Sequence, residues 1–207
     1  MNYSILNLEP LLVFVQSVPL VPKRATKHFR TYRKLCSDLL QRVRDTAGLY
    51  IWVGPSSENI YRYVGISVEG FRNRFGNYFQ QEYTVHWETV HGENPTIALA
   101  CEHYPKWVHT ITSQSYRGKA GTRFIVYYQT TSYDESQLRE LEAELIQRFD
   151  PVANVDRAKP QGFLHSEAME IANGFSQAIQ IQIEKMGMPV PHRLTGRSRQ
   201  EDGGQAT

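Results

Sequence analysis

Five side chains in this 207-residue chain have types and positions that can do chemistry together: Tyr50, Tyr63, Arg74, Tyr78 and Glu142, with Asn154 a short way beyond. Arg74 and Tyr78 are four residues apart, so on a helix their side chains are neighbours. A guanidinium beside a phenol, just after a hairpin bearing Tyr50 and Tyr63, suits an anionic ligand, because the planar fork of Arg matches phosphate oxygens. Glu142 falls inside the apolar stripe of a later helix, between Leu141 and Ile146, whereas Glu140, Glu144 and Gln147 fall outside it. A carboxylate on an apolar face costs several kcal/mol to bury unpaired. It therefore requires a cation, a donor or an opening to solvent.

The elements that must position these groups are legible as periods. From Gly48 to Gly54, Leu49, Ile51 and Val53 alternate with Tyr50 and Trp52, which is strand period. Ile60 to Ile66 alternates again, with Tyr61 and Tyr63 expected on one face and Ile60, Val64 and Ile66 on the other. Gly54 to Asn59 is a turn by composition, so the two strands form a hairpin. Gly48 and Gly65 sit where a strand lets another group or backbone approach closely. Phe71, Phe75, Tyr78 and Phe79 share one face of a helix that carries Arg74 at its edge. Glu135 to Phe149 is a second helix, with a stripe of Leu138, Leu141, Leu145, Ile146 and Phe149, an N-cap at Asp134 or Ser132, and an end at Asp150-Pro151.

Composition is that of a soluble globular protein, and a net charge of +2 says little about partners. The distribution of charge says more. No Asp or Glu occurs from Pro10 to Ser37 or from His103 to Tyr133. The basic residues there, among them Lys27, Arg30, Lys34, Lys106, Arg117, Lys119 and Arg123, lie among aromatics, a mixture that suits a nucleic-acid backbone and equally a solvated basic face over core aromatics. Cys36 and Cys101 form no metal pattern and no disulfide framework, which fits a reducing cytoplasm. Leu11 to Val15 is too short for a membrane span, so no membrane association is expected.

Met1 to Arg24 is expected to be mostly irregular, with a short strand at Leu11 to Val15. Thr26 to Asp45 has the stripe of a helix. Gln81 to Thr122 is rich in His, Tyr and Trp, but its His spacings match no metal motif. Arg123 to Thr130 is a strand. Ser166 to Met186 is a long helix whose apolar residues spread around its axis, which suggests burial, in a subunit contact among other places. Pro189 to Thr207 has the composition of a disordered tail.

At the residues singled out, the chain resembles the GIY-YIG nucleases. Gly48-Leu49-Tyr50 matches the first triplet, Tyr63-Val64-Gly65 the second, and Arg74 the helix arginine. Glu142 stands in Leu141-Glu142-Ala143-Glu144-Leu145-Ile146, matching L-E-x-x-L-I, and Asn154 in Pro151-Val152-Ala153-Asn154, matching P-x-x-N. Each triplet alone is weak; the ordered set is more specific. Residues 71–79 are similar to the excision-repair branch, with Tyr78 one turn after the arginine, but Ile66 stands where that branch has a lysine.

The resemblance covers residues 47–157, with an insertion at 81–122, an N-terminal helical extension (1–46) and a C-terminal helix and tail (158–207). It implies an α+β fold, a small antiparallel sheet flanked by helices, and a metal-dependent endonuclease of double-stranded DNA. By that resemblance Tyr50 activates water, as a phenolate or through a relay, and Tyr63 orients water and phosphate. Arg74, assisted by Tyr78, binds the phosphate and its transition state. Glu142 holds one Mg²⁺ (or Mn²⁺), and Asn154 orders the site around that carboxylate. A compact core without tandem DNA-binding modules or a second nuclease domain favours a type II restriction enzyme, as a homodimer where its site is palindromic. The alternatives are a repair or mobile-element nuclease and a non-catalytic DNA-binding module of the same fold.

Overall fold

A computed structural model of the chain describes residues 3–11, 13, 26–54, 59–77, 79, 122–151, 154 and 159–189. Tyr78, the His-rich stretch 81–121 with Lys106, Arg117 and Lys119, and the tail 190–207 lie outside the described residues, as do the side chains of residues 26–29 and 32, Lys27 among them.

The architecture is α+β. Strands β1 (Tyr3–Asn7), β2 (Gly48–Val53), β3 (Tyr61–Ser67) and β4 (Phe124–Gln129) form an antiparallel sheet in the order β1-β4-β2-β3. Four helices flank it among the described residues: α1 (Thr26–Leu40), α2 (residues 71–77), α3 (Glu135–Phe149) and α4 (His165–Lys185). None is long and apolar enough to cross a membrane.

β2 explains the layering, because it is buried at every position. Leu49, Ile51 and Val53 join Val64, Ile66 and Val126 in a core closed by Leu138, Leu141 and Leu145 of α3 and Ile171, Phe175 and Ile179 of α4. Tyr50 and Trp52 face the other way, with Ile125 and Tyr127, onto Leu39 of α1 and Phe71 and Phe75 of α2. A strand with two apolar sides must be covered on both. Each fully buried large side chain contributes about 1.5–3 kcal/mol.

The hairpin forms as its period predicts, with one correction. Trp52 pairs with Tyr63 but Val53 pairs with Tyr61, so the register shifts and Arg62 is the extra residue of a bulge. The bulge turns Tyr61 to the α3 side, where its ring centroid lies 4.6 Å from that of Phe149. Tyr61 and Tyr63 therefore do not share a face: counting in twos fails across an inserted residue. Burial pushes the Tyr61 phenol up to about 12, with Arg148 opposing, so it stays a neutral packing group at neutral pH.

The N-terminal expectation needs correction at the described residues. Tyr3–Asn7 is a strand paired along β4, while residues 9–11 form a helical turn with Leu11 buried. Residues 12 and 14–25 lie outside the described residues. Tyr3 crosses to α4, where its hydroxyl donates to the Ile171 carbonyl at 2.8 Å and its ring meets Phe175 edge-on, with centroids 5.0 Å apart.

α3 begins at the expected Asp134, whose carboxylate accepts the Gln137 N–H at 2.9 Å while Gln137 Oε1 accepts the Asp134 N–H at 3.0 Å. The Gln137 N–H, then the Ser136 hydroxyl, hold the Asp134 carboxyl below the usual carboxylate range. The helix ends at Phe149, with Asp150 left-handed. The apolar residues of its predicted stripe are all buried, while Glu142 among them is only half-buried; Glu140 and Glu144, outside that stripe, are buried too. The Glu140 carboxylate accepts the N–H groups of Gln161 (2.9 Å) and Gly162 (2.6 Å), and Glu144 lies 3.0 Å from His165 Nδ1. These carboxylates fix the start of α4, whose apolar spread is largely accounted for by packing within the chain.

Gly174 is the notch that lets Tyr3 reach α4, since a Cβ there would collide with the Tyr3 ring. Gly174→Ala should destabilise the protein by about 1–3 kcal/mol through overpacking. In a Tyr3→Ala background the same change should stabilise by up to about 1 kcal/mol, because Ala is the better helix former. Urea unfolding of the four chains checks this; the same sign in both backgrounds would show that Tyr3 is not what the glycine accommodates.

Candidate functional site

β3 is an edge strand, so helices on opposite faces of the sheet can approach one another around it. They do so at a cleft of about 470 Å³, walled by β3, the β3–α2 turn, α2 and α3. Tyr63 from β3, Arg74 from α2 and Glu142 from α3 all line it. Tyr63 and Glu142 are half-buried and Arg74 is exposed. Three of the residues expected from the sequence thus meet at one opening. Glu142 is the least buried of the three middle carboxylates of α3, which fits the cleft as its opening to solvent.

Tyr50 does not line this cleft. It is fully buried, with its ring edge-on to Phe71 (6.2 Å) and Phe75 (5.3 Å) and tilted against Tyr63 at 6.1 Å. Its hydroxyl end passes over Gly65, its cross-strand partner. A Cβ on Gly65 would collide with that hydroxyl and come within 2.8 Å of Tyr63 Cε1. The second triplet therefore needs its glycine because two tyrosines crowd over it. Gly48, with φ +150°, is required for a different reason: a Cβ there would meet the Tyr128 carbonyl and Phe71.

Asn154 is buried against β3, and its amide bonds the Val64 backbone in both directions. Oδ1 accepts the Val64 N–H and Nδ2 donates to the Val64 carbonyl, both at 2.9 Å. The side chain thus satisfies the outward backbone groups of the residue between Tyr63 and Gly65. Through these two bonds it holds the tyrosine-bearing strand; the resemblance implied a role around Glu142.

The turn into α2 is fixed at several points. The Gly70 N–H donates to Ser67 Oγ at 3.2 Å, the Phe71 N–H to the Thr46 carbonyl at 3.2 Å, and the Arg72 N–H to Asp45 Oδ1 at 3.1 Å. Arg74 is carried on this anchored turn. Tyr78, its expected assistant, lies outside the described residues.

Several lining residues were not anticipated. Arg139 lies on the α3 wall, with Nη2 2.6 Å from Glu135 Oε1, and Asn73 donates to Glu69 at 3.2 Å across the β3–α2 turn. A signal for the first existed: residues 135, 139 and 142 are four and three apart, which puts them on one helical face. Of the basic residues expected to contact nucleic acid, Arg30 and Lys34 are exposed on α1, Lys34 paired with Asp38 at 2.7 Å. Arg123 sits at the Val53 end of the sheet, whereas the cleft opens towards the Ser67 end; its N–H donates to the Val53 carbonyl at 2.7 Å. None of these three lines the cleft.

No protein-family model matches the chain, and no curated protein or solved structure matches it significantly.

Replacing Asn154 with Leu keeps the bulk and removes both bonds to Val64. Stability should fall by about 2 kcal/mol or more, since two backbone groups lose their partner. Amide exchange at Val64 should accelerate relative to Leu49, a buried residue of the central strand. Unchanged stability together with unchanged Val64 exchange would show that the clamp is dispensable.

Proposed function

We propose that this chain is a metal-dependent endonuclease of double-stranded DNA with the catalytic core of the GIY-YIG nucleases, cutting at specific sites as type II restriction enzymes do. The observation that carries this is the convergence of a phenol, a guanidinium and a carboxylate, from three separate elements, on one solvent-open cleft. Phosphodiester hydrolysis needs a positioned water, a stabiliser for charge building on phosphorus, and help for the departing oxygen.

Arg74, exposed at the cleft, offers its planar fork to two phosphate oxygens and to the charge that grows on them. Tyr63 is the phenol at the opening, within reach of a water in the cleft. Tyr50 is closed off from solvent, so it acts through Tyr63, the relay form of its expected role. Glu142 is the residue that would hold the divalent ion. Among the described residues no three His, Cys, Asp or Glu side chains converge to hold a metal. A hard carboxylate on the wall of an open cleft fits Mg²⁺, which keeps several waters and shares its shell with substrate phosphate. When bound, such an ion supplies charge neutralisation and a more acidic water.

The direct test is digestion of unmethylated plasmid with Mg²⁺. Discrete fragments support site-specific cutting, a smear indicates nonspecific cutting, and binding without cutting indicates a DNA-binding module. Glu142→Gln should abolish cleavage with binding largely kept, because the basic contacts remain. Arg74→Lys keeps the charge and loses the fork, so single-turnover cleavage should drop by about 10²-fold or more. Normal cutting by either variant removes that residue from the reaction.

A further inference from the structure

The polar surface does not stop at the cleft. A second groove, of about 460 Å³, runs between α1 and α2. Asn73 and Asn77 belong to the walls of both depressions, and being four apart they share one face of α2. Groove and cleft therefore meet along a ridge of two amides. Their charges differ. The cleft carries Glu69, Glu135 and Glu142 beside its arginines, whereas among the described residues the groove is lined by no Asp or Glu. Its charged groups are Arg33 from α1 and Arg72 from α2, with Gln41 nearby. Arg72 is held in place, its Nη2 donating to the Val43 carbonyl at 3.0 Å.

A nucleic-acid strand carries a negative charge at every nucleotide. A cleft that holds one phosphate must therefore give the neighbouring phosphates a path, and carboxylates disfavour that path within the cleft itself. We infer that the α1–α2 groove carries the phosphodiester backbone of the cut strand on one side of the scissile phosphate, across the Asn73–Asn77 ridge. This rests on the nuclease reading and extends it to a flanking subsite. Arg33 and Arg72 supply the cations, and the amides donate to phosphate or sugar oxygens. The subsite binds and aligns the strand but takes no part in bond breaking. Its loss should therefore appear in KM and in salt dependence and not in kcat.

The test uses the full chain, duplex DNA containing the cut site, a salt series for binding, and steady-state cleavage with Mg²⁺. Arg33→Gln should lower the slope of log affinity against log salt by about 1 and raise KM at unchanged kcat. Gln41→Glu, which puts an anion in the groove, should weaken binding by about 10-fold or more. Lys185→Gln removes one charge from α4, on the far side of the sheet, and should change neither quantity. If wild type binds and cuts while both groove variants match it, the groove is wrong and the nuclease reading stands. An equal loss in Lys185→Gln would reduce the effect to bulk charge and overturn the subsite. Failure of wild type to bind or cut duplex DNA would remove both readings together.

Discussion

A strand at the edge of a sheet leaves a row of backbone N–H and C=O groups without strand partners. In β3 the outward pair at Val64 is taken by the amide of Asn154, one bond in each direction. That interaction closes a weak point of the fold and fixes the stretch of chain that bears Tyr63 and Gly65. It also ties the segment after α3 to the edge of the sheet, close to the carbonyl end of α3, which Asn59 caps at Asp150 with a 2.7 Å bond. With β3 at the edge, α2 and α3 come round from opposite faces and their polar groups share one cleft. An internal strand in that place would have kept the two helices apart by the thickness of the sheet.

Behind the cleft the support is aromatic and closely packed. Tyr50, Phe71, Phe75 and Tyr127 pack ring to ring, with Phe71 and Tyr127 centroids 5.0 Å apart. Such contacts fix ring orientation as well as burying area. They pack β2, the strand paired with the one that bears Tyr63, against the anchored start of α2, which carries Arg74. The same packing makes the glycines at 48 and 65 necessary: each gives its Cβ space to a group that the core cannot move.

Much of this was legible in the sequence, because local rules decide it. The alternation in Gly48–Val53, the stripe and Asp134 cap of α3, and the close approaches at Gly48 and Gly65 depend on near neighbours or on the lack of a side chain. What escaped depends on partners far along the chain. β1 is five residues containing a serine and an asparagine, with no period of its own; β4 makes it a strand. The turn of Tyr61 away from Tyr63 comes from a one-residue bulge, which apolar alternation does not reveal. Glu140 and Glu144 are polar by type and lie outside the stripe, yet they are buried because the start of α4 brings backbone N–H groups and His165 to them. In the site, Glu142 and Arg74 could be singled out as types. That they line one cleft, and that Tyr50 stands behind it and not in it, follows only from the order of the strands.

In the proposed reaction the two tyrosines would form one unit at the cleft, with Tyr63 at the water and Tyr50 acting through it. Single-turnover cleavage of one duplex by Tyr50→Phe, Tyr63→Phe and the double variant tests this most directly. Each single change should slow cleavage, within the ~10²–10⁴-fold range of general acid–base catalysis. The double variant should be no slower than the slower single, because groups that act as a unit are lost together. Multiplicative losses would mean that the tyrosines act independently, and unchanged rates in all three would mean that the cleft does not use them at all.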